Sequence, residues 1–269
     1  MIPITEDNSL LGYGILNRCP GIFHFVTTRR GGCSEGNFAS FNCSAYSGDD
    51  LKCVVKNRAC LLATFPSGRG ELVIPYQTHG VRVGLIGSDY IEASEEERTK
   101  MLYGVDALVT NRPEYCLCVS TADCIPVLLY DVRNQAVGAV HAGWRGTVSK
   151  IVSETLAVMK IQFGTEGKDL IACIGPGISL ESFEVGDEVW EAFREAGFYM
   201  PDISEKHPVT GKWHIDLWEA NRLLLLNGGV QSAGIECAGI CTYQQHEHFF
   251  SARRLGIRSG RILSGIMLK

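Results

Sequence analysis

Residues 107–140 read ALVTNRPEYCLCVSTADCIPVLLYDVRNQAVGAV. Four apolar runs stand out: Ala107–Thr110, Leu117–Ser120, Val127–Tyr130 and Ala136–Val140. Each is a few residues long and broken by polar or turn-forming residues. None alternates cleanly between apolar and polar, so strands covered on both faces are expected, because a strand with one wet face reads as alternation. Further strands are read outward from this centre, at Phe23–Thr28, Leu72–Tyr76, Val81–Ile86, Leu170–Ile174, Trp213–Ile215, Ile235–Ala238 and Ile262–Met267. Between them, Asp50 to Phe65 carries Leu51, Val54, Val55, Leu61 and Leu62 at helical spacing. Thr147 is placed to cap a helix whose core side holds Val148, Ile151, Val152, Leu156 and Met159, and Asp187 and Asp216 are placed to cap two later helices. Ser88 to Lys100 reads as an exposed loop or short surface helix. The expected class is mixed α and β in one compact body.

Composition limits the function. The chain has 269 residues, 45% hydrophobic and 20% charged, with a formal net charge of -5. That balance excludes a disordered, fibrous or coiled-coil protein and argues against nucleic-acid or anionic-membrane binding, which reward clustered Lys and Arg. No apolar stretch reaches the ~18 residues of a membrane span. The start, MIPITEDNSLLGYG, lacks a basic region followed by an apolar run. A cytoplasmic location is therefore expected, with the 11 cysteines reduced and mostly packed as small apolar side chains.

Polar, reactive residues sit at the ends of the apolar runs, in Gln77-Thr78-His79-Gly80, Thr121-Ala122-Asp123-Cys124-Ile125-Pro126 and His141-Ala142-Gly143-Trp144-Arg145-Gly146. Each contributes one strong metal ligand: His79, Cys124 and His141. Two imidazoles and a thiolate, with a fourth position left for water, form a catalytic zinc set. The separations of 45 and 17 residues match no zinc-finger pattern. Read from spacing alone the metal signal is weak, and the plainer reading is two satisfied core histidines and a buried inert thiol.

The strings QTHG, DALVT, STADCIPVLLYD and VHAGWRGT resemble the YfiH-like, laccase-domain family, also called multicopper polyphenol oxidoreductases. The resemblance extends through TTRRGGCSEGNFASFN, IGPGISLESFEVGDEV, KWHIDLWEANR and CTYQQHEHFFSARR, from about Phe23 to the end. FNCSAYSGDD departs from the SLNLG-like reading common in the family. The resemblance implies one catalytic α+β domain over residues 1–269, with mixed β-sheets packed in layers, flanked by helices and related to toxin deamidases with a Cys–His site. It implies a metal centre at His79, Cys124 and His141. It also implies zinc-dependent phosphorolysis of adenosine, inosine and methylthioadenosine, with adenosine deamination; copper is the alternative metal. The expected partners are a small nucleoside and phosphate.

The residues constrain these implications. A multicopper oxidase needs about ten His ligands, mostly in His-x-His pairs, whereas this chain has seven His and one such pair, His246-Glu247-His248. Copper at a mixed Cys/His site would reflect affinity rather than oxidase function. The H-x-E with P-C-x-x-C signature of zinc deaminases is absent. Asp123 reads either as a proton carrier or as a turn or helix-cap carboxylate. For phosphate, the candidates are Arg29 in Arg29-Arg30-Gly31-Gly32, then Arg253 and Arg254, then Arg145 beside His141; surface ion pairing is the plain alternative for each. Two competing functions remain. A cysteine hydrolase or amidase would use Cys124 as nucleophile and His79 or His141 as base; the resemblance to the family implies cell-wall precursors as its substrates. A structural zinc protein would need a fourth protein ligand.

Overall fold

Side chains alternate across a strand, so a strand that is apolar at every position must be covered on both faces. The strands Ile125–Asp131, Ala136–Ala142 and Ile262–Leu268 are buried at every residue. A computed structural model describes residues 1–269, apart from the side chain of Ser67, and shows what covers them. One six-stranded sheet runs Ile2–Pro3, Leu10–Gly12, Ile22–Thr27, Ile262–Leu268, Tyr115–Thr121, Glu71–Val73. A second runs Ile235–Cys237, Leu170–Ile174, Ile125–Asp131, Ala136–Ala142, Ala107–Thr110, Val83–Leu85. Both are mixed: Glu71–Val73 lies parallel to Tyr115–Thr121, and Val83–Leu85 parallel to Ala107–Thr110, while the central pairs are antiparallel. A three-stranded antiparallel sheet of Glu184–Val185, Trp213–Ile215 and Ser204–Lys206 completes the set.

Period-two alternation divides the core into layers. Leu128, Val137 and Ala139 of the second sheet meet Leu117, Val119, Ile262 and Ile266 of the first. Val127, Leu129, Ala136 and Val140 turn the other way, onto Val152, Leu156 and Met159 of helix Ile151–Phe163 and Leu224 and Leu225 of helix Leu217–Asn227. On the far side of the first sheet, Phe25, Cys116, Cys118 and Leu263 pack on Leu61 of helix Leu51–Leu62. The order is helix, sheet, sheet, helices. Each fully buried Leu or Val contributes roughly 1.5–3 kcal/mol of transfer free energy.

Asp50 and Asp216 cap their helices, accepting from the N–H of Lys52 and Glu219 respectively. Asp187 is the first helical residue rather than the cap, which falls on Gly186. Thr147 does not cap a helix. Lys150, at φ 63°, breaks the expected helix into Trp144–Val148 and Ile151–Phe163, and the Thr147 hydroxyl instead accepts from Asn221. The expected core residues Ile151, Val152, Leu156 and Met159 are buried. Ser88 to Lys100 forms two short helices, Ser88–Glu92 and Glu95–Met101, the second opened by a Ser94–Glu97 capping box.

Candidate metal centre

The two large sheets are joined by the turn between Thr121 and Ile125. Strand Tyr115–Thr121 leaves the first sheet and Ile125–Asp131 enters the second, so Cys124 lies at the passage between them. Asp123 makes the turn at φ 88°. Its Oδ1 accepts from the Thr242 hydroxyl at 2.7 Å and its Oδ2 from the Arg253 N–H at 2.7 Å. Both oxygens are thus engaged in fixing the C-terminal segment, and the contacts of Asp123 are those of a turn and helix-terminus carboxylate.

His141 is the penultimate residue of Ala136–Ala142, paired in register with Pro126 and 3% exposed. Its Nδ1 lies 2.8 Å from Oδ1 of Asp106, which is fully buried. An ionised carboxylate only accepts, so Nδ1 carries a proton, and in the neutral ring that coordinates a metal the lone pair sits on Nε2. Asp106 also accepts the N–H groups of Thr78 at 3.2 Å, His79 at 2.9 Å and Gly80 at 2.7 Å. His79 reaches this geometry with φ 63°, an unfavourable conformation for a non-glycine residue that three converging N–H donors hold in place. Gln77 fixes the same loop to the first sheet: its Oε1 accepts from the Ser120 N–H at 2.7 Å and its Nε2 donates to the Ser120 carbonyl at 2.9 Å.

These supports gather the donor atoms of His79, Cys124 and His141 within 4.8 Å of one another. The two imidazole rings meet edge to face, 4.8 Å between centroids. Gly143 allows this closeness. A Cβ there would lie 2.9 Å from Cys124 Sγ and 3.0 Å from His79 Cδ2. Burial opposes ionisation of Cys124, but the charge of His141 and hydrogen bonds from both histidines outweigh it, bringing the thiol down to about 6. Burial likewise disfavours the imidazolium of His141, yet Cys124 and Asp106 raise it to about 9. Burial also works against ionised Asp106, and the hydrogen bond and charge of His141 overcome it, leaving its pKa below the ordinary value. Two imidazoles and a readily ionised thiol, with a carboxylate fixing the outer nitrogen of one ring, fit a divalent metal of zinc or copper type.

The cluster opens into a cleft of about 350 Å³ lined by Tyr46, Tyr76, Gln77, Ser120, Thr121 and Arg261 among others. That is the size of a small-ligand site. The four arginines singled out for phosphate are not among its lining residues. Arg29 Nε donates to the Ala39 carbonyl at 2.7 Å, Nη1 donates to the His246 carbonyl, and the guanidinium lies over Phe250. Arg145 is exposed over the Trp144 ring, Arg254 lies over Tyr243, and Arg253 over Phe183 with Nη1 donating to the Glu184 carbonyl. His246 and His248 lie outside the cluster. The sequence reading assigned no role to Asp106, Gln77, Gly143 or Arg261. For Asp106 and Gly143 the signal lay inside DALVT and HAGWRG, strings already notable as a whole.

A helix–sheet–sheet–helix domain with a His/Cys/His cluster at the junction of its sheets, buried at His141 and open at His79, defines a class of α+β proteins with a candidate metal centre. Residues 23–269 match the family described as multi-copper polyphenol oxidoreductase laccase, and the chain belongs to that family. It is 59% identical over 268 residues to a purine nucleoside phosphorylase of Bacteroides thetaiotaomicron, spanning 100% of this chain and 99% of that one. It is 41% identical over 249 residues to adenosine deaminase RL5 from an unknown prokaryotic organism, spanning 93% and 95%. Among solved structures, YlmD from Geobacillus stearothermophilus superposes with a TM-score of 0.87 at 30% identity, covering 100% of this chain and 99% of that one. The hypothetical protein YfiH of Bacillus licheniformis gives 0.87 at 32%, covering 97% of each. Both share the layered α+β fold expected from the sequence.

Proposed function

We propose that the protein is a zinc-dependent purine nucleoside phosphorylase acting on adenosine, inosine and methylthioadenosine, with adenosine deaminase activity, in the cytoplasm. The observation that carries this reading is the His79–Cys124–His141 cluster opening into a nucleoside-sized cleft, in a chain whose relatives bear both enzyme names. His79, Cys124 and His141 would hold the zinc, which would supply Lewis acidity at the floor of the cleft. The chain's own residues do the rest. Asp106 holds His141 in the tautomer that presents Nε2 and fixes the His79 loop through three N–H groups. Tyr46 and Tyr76 offer aromatic surface at the cleft for a purine, and Tyr76 is braced from behind by Tyr103, stacked at 4.9 Å. Gln77 and the sheet behind it keep that wall rigid.

Zinc-loaded protein incubated with adenosine is expected to give adenine and ribose-1-phosphate only when phosphate is present, and inosine with or without it. His79→Ala, Cys124→Ala and His141→Ala should each abolish both products. Adenosine left untouched by the zinc-loaded protein would overturn the reading.

A second reading is favoured by the lowered Cys124 thiol beside His141 and Asp106, which is the charge arrangement of a cysteine hydrolase. His79→Ala separates the two. It should remove one ligand of three and abolish a metal-dependent activity, yet leave a Cys124–His141 pair able to turn over an amide. Laccase chemistry is less well supported, because the described residues offer one group of three ligands rather than several copper centres.

A further inference from the structure

Phosphorolysis needs a cation and hydrogen-bond donors facing the nucleoside, and the arginines nominated from the sequence are committed elsewhere. Arg261 is the one Lys or Arg among the described residues lining the cleft. Its Nη1 donates to the carbonyls of Ser259 at 2.6 Å and Gly260 at 3.0 Å, and its Nη2 to the Ile257 carbonyl at 2.9 Å. Its backbone N–H donates to Asn42 Oδ1 at 3.0 Å. The guanidinium is therefore oriented by its own loop, and carbonyls do not neutralise it. No carboxylate is ion-paired with it among the described residues, although Asp123 and Cys124 lie near enough to feel its charge.

The adjoining wall holds a second oddity. Ser120 and Thr121, the last residues of their strand, line the same cleft, and neither buried hydroxyl has a partner. Thr121 is paired in register with Ile262, the residue after Arg261. Side chains alternate along the strand, so the two hydroxyls lie on opposite faces; buried hydroxyls are nearly always hydrogen-bonded, and the unpaired Ser120 hydroxyl, in a cleft with an arginine that has no ion pair, marks a place for a ligand rich in acceptors.

We propose that Arg261 and Ser120 form the subsite for inorganic phosphate within the cleft, beside the His79–Cys124–His141 cluster. The assignment rests on the phosphorylase reading for its role, and the subsite can be tested without turnover. Inorganic phosphate is titrated into metal-loaded protein and followed by phosphorus NMR line broadening. Arg261→Met should weaken binding roughly 10–100-fold, the worth of a charge-assisted pair, and Arg261→Lys should restore part of it. Arg261 fastens the loop around residues 257–260, so Ser120→Ala serves as the independent variant. It removes a hydroxyl that nothing else uses and should weaken phosphate several-fold. The Michaelis constant for phosphate in adenosine cleavage should rise in step.

Phosphate binding unchanged in both Arg261→Met and Ser120→Ala would overturn the subsite, whether or not nucleoside is cleaved. Arg261-dependent phosphate binding without any nucleoside cleavage would leave the subsite standing and remove the phosphorylase reading instead.

Discussion

Asp106→Asn tests the reasoning about the site most directly. The wild-type carboxylate accepts five hydrogen bonds, from three backbone N–H groups, the Thr78 hydroxyl and His141 Nδ1, while fully buried. Asparagine keeps one oxygen. Its amide nitrogen would face donors, so two or three of the five would lose their acceptor. A buried donor left unpaired costs ~1–3 kcal/mol, and breaking a buried charged pair costs ~3–5 kcal/mol in all. The expected destabilisation is about 3–5 kcal/mol, measured by urea unfolding of the metal-free protein. The His79 loop and the His141 ring lose their common anchor, so zinc affinity, measured against a chromophoric chelator, should fall about 10–100-fold. A stability change below about 1 kcal/mol with zinc affinity within twofold of wild type would refute the argument that Asp106 organises the site.

Three further outcomes are expected. Gly143→Ala places a methyl 2.9 Å from Cys124 Sγ and 3.0 Å from His79 Cδ2, so zinc affinity should drop at least ~10-fold while metal-free stability falls by only about 1 kcal/mol, since exposed His79 can give way. Unchanged chelator competition would contradict the close-approach role of this glycine. Asp123→Ala orphans the Thr242 hydroxyl and the Arg253 N–H, and should cost about 2–4 kcal/mol with faster amide exchange confined to the 242–255 segment; uniform exchange would contradict it. His24 accepts from the Tyr13 N–H, and burial holds its pKa down at about 4. Its folded pKa lies below the unfolded value, so the stability it contributes is full above pH ~6.5 and is lost as pH falls through ~4, about 3 kcal/mol in total. His24→Gln should flatten that part of the pH–stability curve, and an unaltered slope in urea titrations would place the acid sensitivity elsewhere.

The strands were the most legible part, because apolar side chains at every position leave little alternative to a doubly covered strand. The helix ends were less so. Asp216 caps as expected, but Lys150 in a left-handed conformation splits the helix that Thr147 was expected to start, and no residue type at that position announces it. The three cluster residues stood out through strings of polar residues at strand ends. Their supports did not. Asp106 works through groups 26 to 35 residues away, a relation no local spacing displays. The arginines illustrate the converse. Arg29 sits in a Gly-rich turn suited to an anion, but folding surrounds it with carbonyls from residues 39 and 246. Arg261, in an unremarkable stretch of sequence, is carried into the cleft by the strand that follows it.

The passage from one sheet to the other at Cys124 has a thermodynamic consequence. His79 lies on a connection between the sheets, tied to the first through Gln77 and Ser120 and to the second through Asp106, His141 belongs to the second sheet, and Cys124 belongs to another crossing. Whatever draws these three atoms together also fastens one end of the sandwich. Binding free energy at the centre is then folding free energy, worth about 2.7 kcal/mol at a free ligand concentration 100 times the dissociation constant. The melting temperature of this protein is accordingly a property of the solution's metal activity as much as of its hydrophobic core.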